Sequence, residues 1–241
     1  MEPSAQLDHF RADAAAFAEA CAAGLDPAVA GCPGWSVADL AAHLGGVHRW
    51  VLTYLDADPD SGRRPWIEGD PPSGTDAVTA WYRDSAGALI DGLAALDPAQ
   101  PCATFVGRRD VAWWIRRQAH ETAVHRWDAE TAHGLDAAID PELASDGIDE
   151  YLSVFGPRKA AALEGVGSVH LHCTDVGGEW LVRVEDGAWV VQREHAKGDA
   201  ALRGPAEALL LAVWGRRGLD AVDVVGDEAT AARWIGVVSG V

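Results

Sequence analysis

The hydrophobic period changes once along this chain, and the change divides it into a helical part and a mixed part. Up to about residue 163, apolar residues recur every three or four positions, which is the period of helices that bury one face. From residue 169 the period becomes two, which is typical of half-buried strands. We therefore predict an α+β chain with two domains, a helical bundle over residues 1–163 and a small α/β domain over residues 164–241.

The helical part is predicted to contain four long helices and one connecting helix. They cover residues 5–24, 36–56, 75–96, 109–133 and 141–163. In the second part, Gly177-Gly178 and Asp186-Gly187 mark hairpin turns between alternating segments, so a mainly antiparallel sheet is expected. Its strands are predicted at 169–173, 180–184, 189–192 and 221–225, with helices at 205–215 and from 227 onward.

The fourth predicted helix carries polar residues on its inward face. This face consists of Val111, Trp114, Gln118, Glu121, His125 and Ala132. An ionised glutamate on such a face is costly unless a counter-charge meets it, and a divalent metal is the simplest counter-charge that also explains the histidine. The pattern differs from the zinc-protease motif HExxH, because His120 and His125 are five residues apart and His120 therefore points away.

A third candidate ligand lies on the second predicted helix. Ser36 and Asp39 form a capping-box pattern that predicts the start of this helix, and His43 lies on its apolar face. Two bundle helices would then present His43, Glu121 and His125 to one metal ion. Such a set leaves at least one coordination position open, as in catalytic rather than structural zinc sites.

The same residues also fit ordinary structural roles. A single histidine on an apolar face is usually a core histidine, and a Glu-x-x-x-His pair on a helix is usually a solvated surface pair. His48 lies five residues after His43 and is expected to point elsewhere. Five further histidines are assigned to the surface or the core: His120, His133, His170, His172 and His195.

Composition limits the location and the partners. A net charge of −18 opposes binding to nucleic acid and to anionic membranes. The chain contains no apolar run of membrane-spanning length, and its start lacks a signal-peptide pattern. Its cysteines are scattered, which indicates reduced thiols. They are Cys21, Cys32, Cys102 and Cys173. We expect a cytoplasmic monomer or homodimer that acts on small molecules.

Two segments, residues 31–44 (GCPGWSVADLAAHL) and 120–128 (HETAVHRWD), resemble the mycothiol-dependent maleylpyruvate isomerase family. The resemblance continues at residues 204–216 and 224–227, and so covers nearly the whole chain. It implies a DinB-like metal-binding four-helix bundle followed by a small domain related to sterol-carrier folds. It also implies zinc ligands at three positions that the helical geometry had already selected, which are His43, Glu121 and His125.

The resemblance implies mycothiol as the thiol co-substrate, and the Arg- and Ala-rich composition is consistent with an actinobacterial source. A zinc ion held by two imidazoles and one carboxylate has a net charge near +1, lowers the pKa of a bound thiol and supplies a thiolate that attacks electrophiles. In the implied isomerisation the thiolate adds to a maleyl double bond, the adduct rotates, and the thiolate leaves. The same centre could transfer the thiol to another electrophile. Arg203, Arg216 or Arg217 is the hypothesised anchor for an anionic substrate.

Three alternatives stay open at this point. The bundle could be a metal-dependent hydrolase, which would be active without a thiol. It could be an iron-dependent thiol oxidase, since two histidines and a carboxylate also suit non-haem iron. It could be a non-catalytic small-molecule or lipid carrier in which the metal is structural.

Overall fold

The computed structural model describes residues 1–67 and 69–239, and the chain divides into two compact units. The first unit is Met1–Ala138 and the second is Ile139–Val241. The boundary that the sequence predicts, after residue 163, lies inside the second unit, because the helix at Pro141–Val154 packs against the helix at Ala206–Val213. Within the described residues, no helix has the length and apolarity that a membrane crossing requires.

The first unit is a bundle of four long helices, as predicted. Each helix packs mainly against two neighbours. The first helix, α1 (Pro3–Ala23), and the second, α2 (Val37–Leu55), both contact the third, α3 (Thr75–Ala94), and the fourth, α4 (Val111–Ala132). A short antiparallel pair of two-residue strands precedes α4. The elements are α1 (Pro3–Ala23), α2 (Val37–Leu55), α3 (Thr75–Ala94), β1 (Pro101–Cys102), β2 (Arg109–Asp110) and α4 (Val111–Ala132). This order around the bundle places α2 beside α4.

Helix α2 begins where its capping signal predicts. The Ser36 backbone N–H donates to Asp39 Oδ2 at 2.8 Å, and the Asp39 backbone N–H donates to Ser36 Oγ at 3.3 Å. These two hydrogen bonds satisfy backbone N–H groups that the first turn of a helix leaves without partners. Leu40 and Leu44 are fully buried on the face that follows. The cap therefore fixes where α2 begins, and the burial of Leu40 and Leu44 sets which face of the helix turns to the core.

His48 points away from His43, as expected, but it lies in the core of the bundle and is fully buried, which the sequence did not predict. Its ring lies 5.2 Å from that of Phe10 and 5.6 Å from that of Tyr82, and its Nε2 lies 3.3 Å from Thr122 Oγ1. Burial lowers the pKa of His48 to about 3, and the nearby His43 and His125 act in the same direction. The ring is therefore neutral at neutral pH and contributes to packing.

Two helical glycines of the bundle should respond oppositely to alanine. A Cβ at Gly45 of α2 would overlap the Trp81 ring, whereas within the described residues no heavy atom lies within 4 Å of a Cβ built at Gly87 of α3. Alanine gains about 1 kcal/mol of helix propensity over glycine, but overpacking costs about 1–3 kcal/mol. We expect Gly45→Ala to lower the free energy of unfolding by about 1 kcal/mol and Gly87→Ala to raise it by up to about 1 kcal/mol.

Urea unfolding followed by circular dichroism measures both glycine variants. Gly87, like Gly45, lies inside a helix, so Gly87→Ala measures the gain in helix propensity without any overlap with a neighbouring side chain. Equal changes in the two variants would contradict a close approach of Trp81 to the backbone of α2.

The second unit begins with a helix that ends earlier than predicted. The sequence predicts one helix over 141–163, but the first helix of this unit, α5 (Pro141–Val154), ends at Val154 and a 3-10 turn follows at Gly156–Lys159. Pro157 explains the break, because proline lacks a backbone N–H and disfavours helical conformation in the residue before it. The elements of this unit are α5 (Pro141–Val154), α6 (Ala160–Leu163), β3 (Val169–Cys173), β4 (Glu179–Glu185), β5 (Ala188–Gln192), β6 (Ala200–Gly204), α7 (Ala206–Val213), β7 (Asp223–Gly226) and α8 (Glu228–Val238).

The sheet of the second unit is mainly antiparallel, as expected, and has the strand order β5-β4-β3-β6-β7. Only the β3–β6 pair is parallel among the described strands. The sequence did not predict β6, because Ala200–Gly204 contains no β-branched or aromatic side chain of the kind that favours a strand. Helices α7 and α8 cover one face of the sheet, where Leu171 and Leu202 are fully buried.

Candidate metal centre

The structure brings His43, Glu121 and His125 together. Nε2 of His43 lies 3.4 Å from Glu121 Oε1, and Nε2 of His125 lies 3.5 Å from the same oxygen. The two imidazole rings are 5.3 Å apart and nearly perpendicular, at 82°. One ligand atom from each residue lies within 4.8 Å of the others. Two neighbouring helices thus converge on one point, with one donor from α2 and two from α4.

These distances fit a single zinc ion. Zinc bonds to nitrogen and oxygen are about 2.0–2.2 Å long, so neighbouring donors of a tetrahedral site lie about 3.3 Å apart. The two His–Glu separations are within a few tenths of an ångström of that value. The side chains of His43, Glu121 and His125 are 28 %, 16 % and 11 % exposed, so access to the cluster is from the His43 side.

Glu121 has a second counter-charge that the sequence reasoning did not consider. Arg117 lies one turn earlier on α4, is 5 % exposed and forms a close ion pair with the carboxylate of Glu121. The ionised carboxylate is therefore balanced by its own helix, and its burial alone does not demand a metal. The case for a metal rests instead on the convergence of two imidazoles on the same oxygen. The Arg-x-x-x-Glu spacing was the available signal for this pair.

Asp128 orients His125, and the sequence reasoning missed this role. Its Oδ2 lies 3.0 Å from Nδ1 of His125, and its side chain is fully buried. A carboxylate on one imidazole nitrogen fixes the ring so that the other nitrogen faces a metal. Nε2 of His125 accordingly points toward Glu121. The His-x-x-Asp spacing on one helix could have revealed this pair, because residues three apart share a helix face.

Cys32 lies behind the cluster, close to Asp128. Its Sγ is 3.9 Å from Asp128 Oδ2, and Cys32, His125 and Asp128 form an overlapping group of potential ligands. This group would use the Nδ1 atom of His125, which faces Asp128, whereas the His43 group uses Nε2. The two groups therefore compete for one imidazole.

Aromatic side chains flank His43. The ring centre of Trp35 lies 5.1 Å from that of His43, and the ring of Trp66 stacks on His43 at 5.9 Å. Trp66 comes from the connection between α2 and α3 and is 47 % exposed. These rings give the accessible side of the cluster an apolar border, which favours the exclusion of water from a small ligand.

The three arginines that the sequence proposes as substrate anchors all lie in the second unit. Arg203 is an exposed residue of β6, while Arg216 and Arg217 follow α7. Arg217 pairs with Glu207 at 3.1 Å, and Arg216 donates to the Trp214 carbonyl at 2.8 Å. Their role in binding an anionic substrate stays a prediction.

Comparison with known proteins identifies the family. The model of the mycothiol maleylpyruvate isomerase N-terminal domain matches residues 6–130, and the model of the corresponding C-terminal domain matches residues 142–233. Two uncharacterized proteins of Mycobacterium tuberculosis, from two strains, are 25 % identical over 134 residues, which is 53 % of this chain. The same matched region is 65 % of the length of each relative, so this chain spans just under two thirds of the curated relatives that it matches.

Solved structures agree in fold. The crystal structure of the mycothiol-dependent maleylpyruvate isomerase aligns with a TM-score of 0.60 and 13 % identity. A histidine-to-alanine mutant of that enzyme aligns with a TM-score of 0.65 and 14 % identity. Each alignment covers 93 % of both chains. With both domain models matched in order along one chain, this protein belongs to the mycothiol-dependent maleylpyruvate isomerase family.

Proposed function

We propose that the chain is a zinc- and mycothiol-dependent enzyme of the maleylpyruvate isomerase type, with His43, Glu121 and His125 as metal ligands. The observation that carries the proposal is the convergence of these three donors from α2 and α4, at 3.4 and 3.5 Å, in a member of this family. When bound, the metal supplies a Lewis acid that lowers the pKa of a thiol toward neutrality.

The protein's own residues prepare this site for a thiol and a small electrophile. Asp128 holds the His125 ring in the orientation that directs Nε2 toward the cluster. Arg117 holds the carboxylate of Glu121 and adds positive charge to a protein that is otherwise strongly acidic. Trp35 and Trp66 border the side from which a ligand reaches His43, so they exclude water from the reacting groups.

The reaction itself is tested with the purified, zinc-loaded chain. It is mixed with mycothiol and maleylpyruvate, and separately with a small set of other electrophiles, while thiol consumption and cis–trans conversion are recorded independently. Isomerisation without net thiol loss supports the isomerase, and thiol loss supports S-transfer. Turnover without any thiol would instead indicate a metal-dependent hydrolase, and no turnover of any pair by the zinc-loaded protein would contradict the proposal.

The donor set also gives a second candidate metal. Two imidazoles and one carboxylate with open positions are the ligand set of non-haem iron(II) oxygenases, so an iron-dependent thiol oxidase is the runner-up. Elemental analysis of protein purified without added metal, together with oxygen uptake in the presence of a thiol, separates the two. A cytoplasmic location and a low-molecular-weight electrophile as partner belong to the same proposal.

Substitution of Asp128 tests the metal site without touching its ligands. We expect Asp128→Asn to weaken zinc binding about 10- to 100-fold, because the His125 ring loses the carboxylate that orients it. Competition with a chromogenic chelator measures the change. The matched control is Cys32→Ser, which alters the other neighbour of Asp128 and should keep the wild-type affinity. Loss of affinity in Cys32→Ser as well as in Asp128→Asn would assign the metal to the overlapping group, in which Cys32 and Asp128 are both potential ligands. Wild-type affinity in Asp128→Asn would contradict its role in orienting His125.

A further inference from the structure

Strand β3 places two histidines on one face of the sheet in the second unit. Side chains two residues apart on a strand point to the same side, and His170 and His172 are such a pair. The strand register sets Glu179 of β4 directly opposite His172. Glu179 therefore lies on the same face, next to both imidazoles.

A third histidine reaches this cluster from the connection between β5 and β6. Nδ1 of His195 lies 2.7 Å from Glu179 Oε2, and Nε2 of His170 lies 3.2 Å from the same oxygen. Nδ1 of His172 lies 3.3 Å from Glu179 Oε1. The three rings are mutually perpendicular within a few degrees, with centres 5.5–6.2 Å apart. All four donors lie within 4.8 Å of one another.

The cluster has the chemistry of a transition-metal site. Three imidazole nitrogens and one carboxylate oxygen are ligands that zinc prefers. The separations of His170 and His172 from Glu179, 3.2 and 3.3 Å, match the edges of a tetrahedral site, and His195 is closer, at 2.7 Å. His170 is 5 % exposed. Among the described residues, none offers its Nε2 a hydrogen bond of good geometry, although Glu179 is close. A buried nitrogen aimed at the centre of the cluster in this way suits a metal ligand.

We propose that His170, His172, Glu179 and His195 form a second zinc site, which differs in kind from the centre between α2 and α4. Four protein donors complete a tetrahedron, so this site is closed and structural. The ion would hold the β5–β6 connection, residues 193–199, against the β3–β4 hairpin. All four ligands lie in the second unit, and the ligands of the first centre lie in the first unit, so neither proposal depends on the other.

The zinc-to-protein ratio tests the proposal directly. The full chain is stripped with a chelator, reloaded with zinc, desalted and analysed for metal. We expect about two zinc ions per wild-type chain and about one in His195→Ala, in Glu179→Gln and in His43→Ala. The double variant His43→Ala/His195→Ala should hold none. His133→Ala removes an imidazole outside both clusters and should keep the wild-type ratio.

The variants distinguish the two sites. His195 is largely exposed and Glu179 lies near the surface, so neither substitution removes a core side chain. If both variants keep the wild-type zinc ratio, the second site is refuted, whatever His43→Ala does. If His43→Ala keeps the wild-type ratio while His195→Ala loses one zinc ion, the centre between α2 and α4 fails and the second site stands.

Limited proteolysis gives a readout that does not depend on counting ions. Arg193 and Lys197 flank His195 in the proposed zinc-held connection, and trypsin cleaves after both residue types. We expect zinc to slow cleavage after Lys197 at least about tenfold in the wild type and in His43→Ala, and to have no effect in His195→Ala. Equal zinc protection of the wild type and His195→Ala would overturn the proposal.

Discussion

Replacing His43 by alanine should remove zinc from the centre between α2 and α4 and lower kcat/KM about 10³-fold. A catalytic metal contributes several kcal/mol of transition-state stabilisation, and a factor of ten corresponds to about 1.4 kcal/mol. His43 is the best position for this test because it is the most exposed of the three ligands, at 28 % of its side chain. By contrast, substitution of Glu121 would also leave the buried Arg117 without the carboxylate with which it pairs.

The readouts are the zinc-to-protein ratio, which should fall by one, and the turnover of the best thiol–electrophile pair from the screen. The matched control is His133→Ala, which removes an imidazole at the end of α4 without touching the cluster. Unchanged activity with unchanged zinc in His43→Ala would refute the site. Lost zinc with full activity would show that the metal is not catalytic.

Replacing Arg126 by alanine should lower the free energy of unfolding by about 3 kcal/mol, because Asp13 would stay buried without its counter-charge. Nε of Arg126 donates to Asp13 Oδ1 at 3.0 Å and ties α1 to α4. The same guanidinium donates to Glu130 and to the carbonyl of Ala138, both at 2.7 Å. Arg126 is 8 % exposed and Asp13 is 9 % exposed, so water cannot replace these contacts.

Burial raises the pKa of Asp13, and the charge and hydrogen bond of Arg126 act in the opposite direction. Loss of Arg126 therefore removes the largest influences that oppose the effect of burial on the pKa of Asp13. The matched control is Arg83→Ala, which breaks an exposed pair between α3 and α1, Arg83–Glu19, and should cost at most about 1 kcal/mol. Urea unfolding measures both variants. The double variant Asp13→Asn/Arg126→Met should recover much of the loss, since it leaves no buried charge. Equal losses in Arg126→Ala and Arg83→Ala would contradict this account.

Local signals in the sequence were sufficient for most of the helices and for the main cluster of donors. The Ser36–Asp39 capping box and the helical period require only a few neighbouring residues, so the start of α2 and the face that carries His43 could be predicted. The same period placed Glu121 and His125 on one face of α4. The end of α5 before Gly156-Pro157 also has a local signal, the proline, although the sequence analysis predicted that the helix continues through it.

Contacts between distant segments could not be predicted in this way. That α4 lies beside α2 depends on how all four helices pack, and this neighbourhood is what brings His43 to Glu121 from 78 residues away. Strand β6 lacks the β-branched and aromatic side chains that favour a strand, and its pairing with β3 is parallel and non-local. The meeting of His195 with His170 and His172 requires the β5–β6 connection to fold back over the sheet.

The sequence by itself determined the change from helices to strands, the cap and inward face of α2, and the identity of three residues that can serve as metal ligands. Periodicity and capping carry this information because they depend on residues within one or two turns of each other. Only the tertiary structure decided that Arg117 neutralises Glu121, that Asp128 orients His125, and that a second set of donors meets on the sheet. Side-chain direction and helix or strand neighbourhood set these contacts, and both follow from packing of the whole unit.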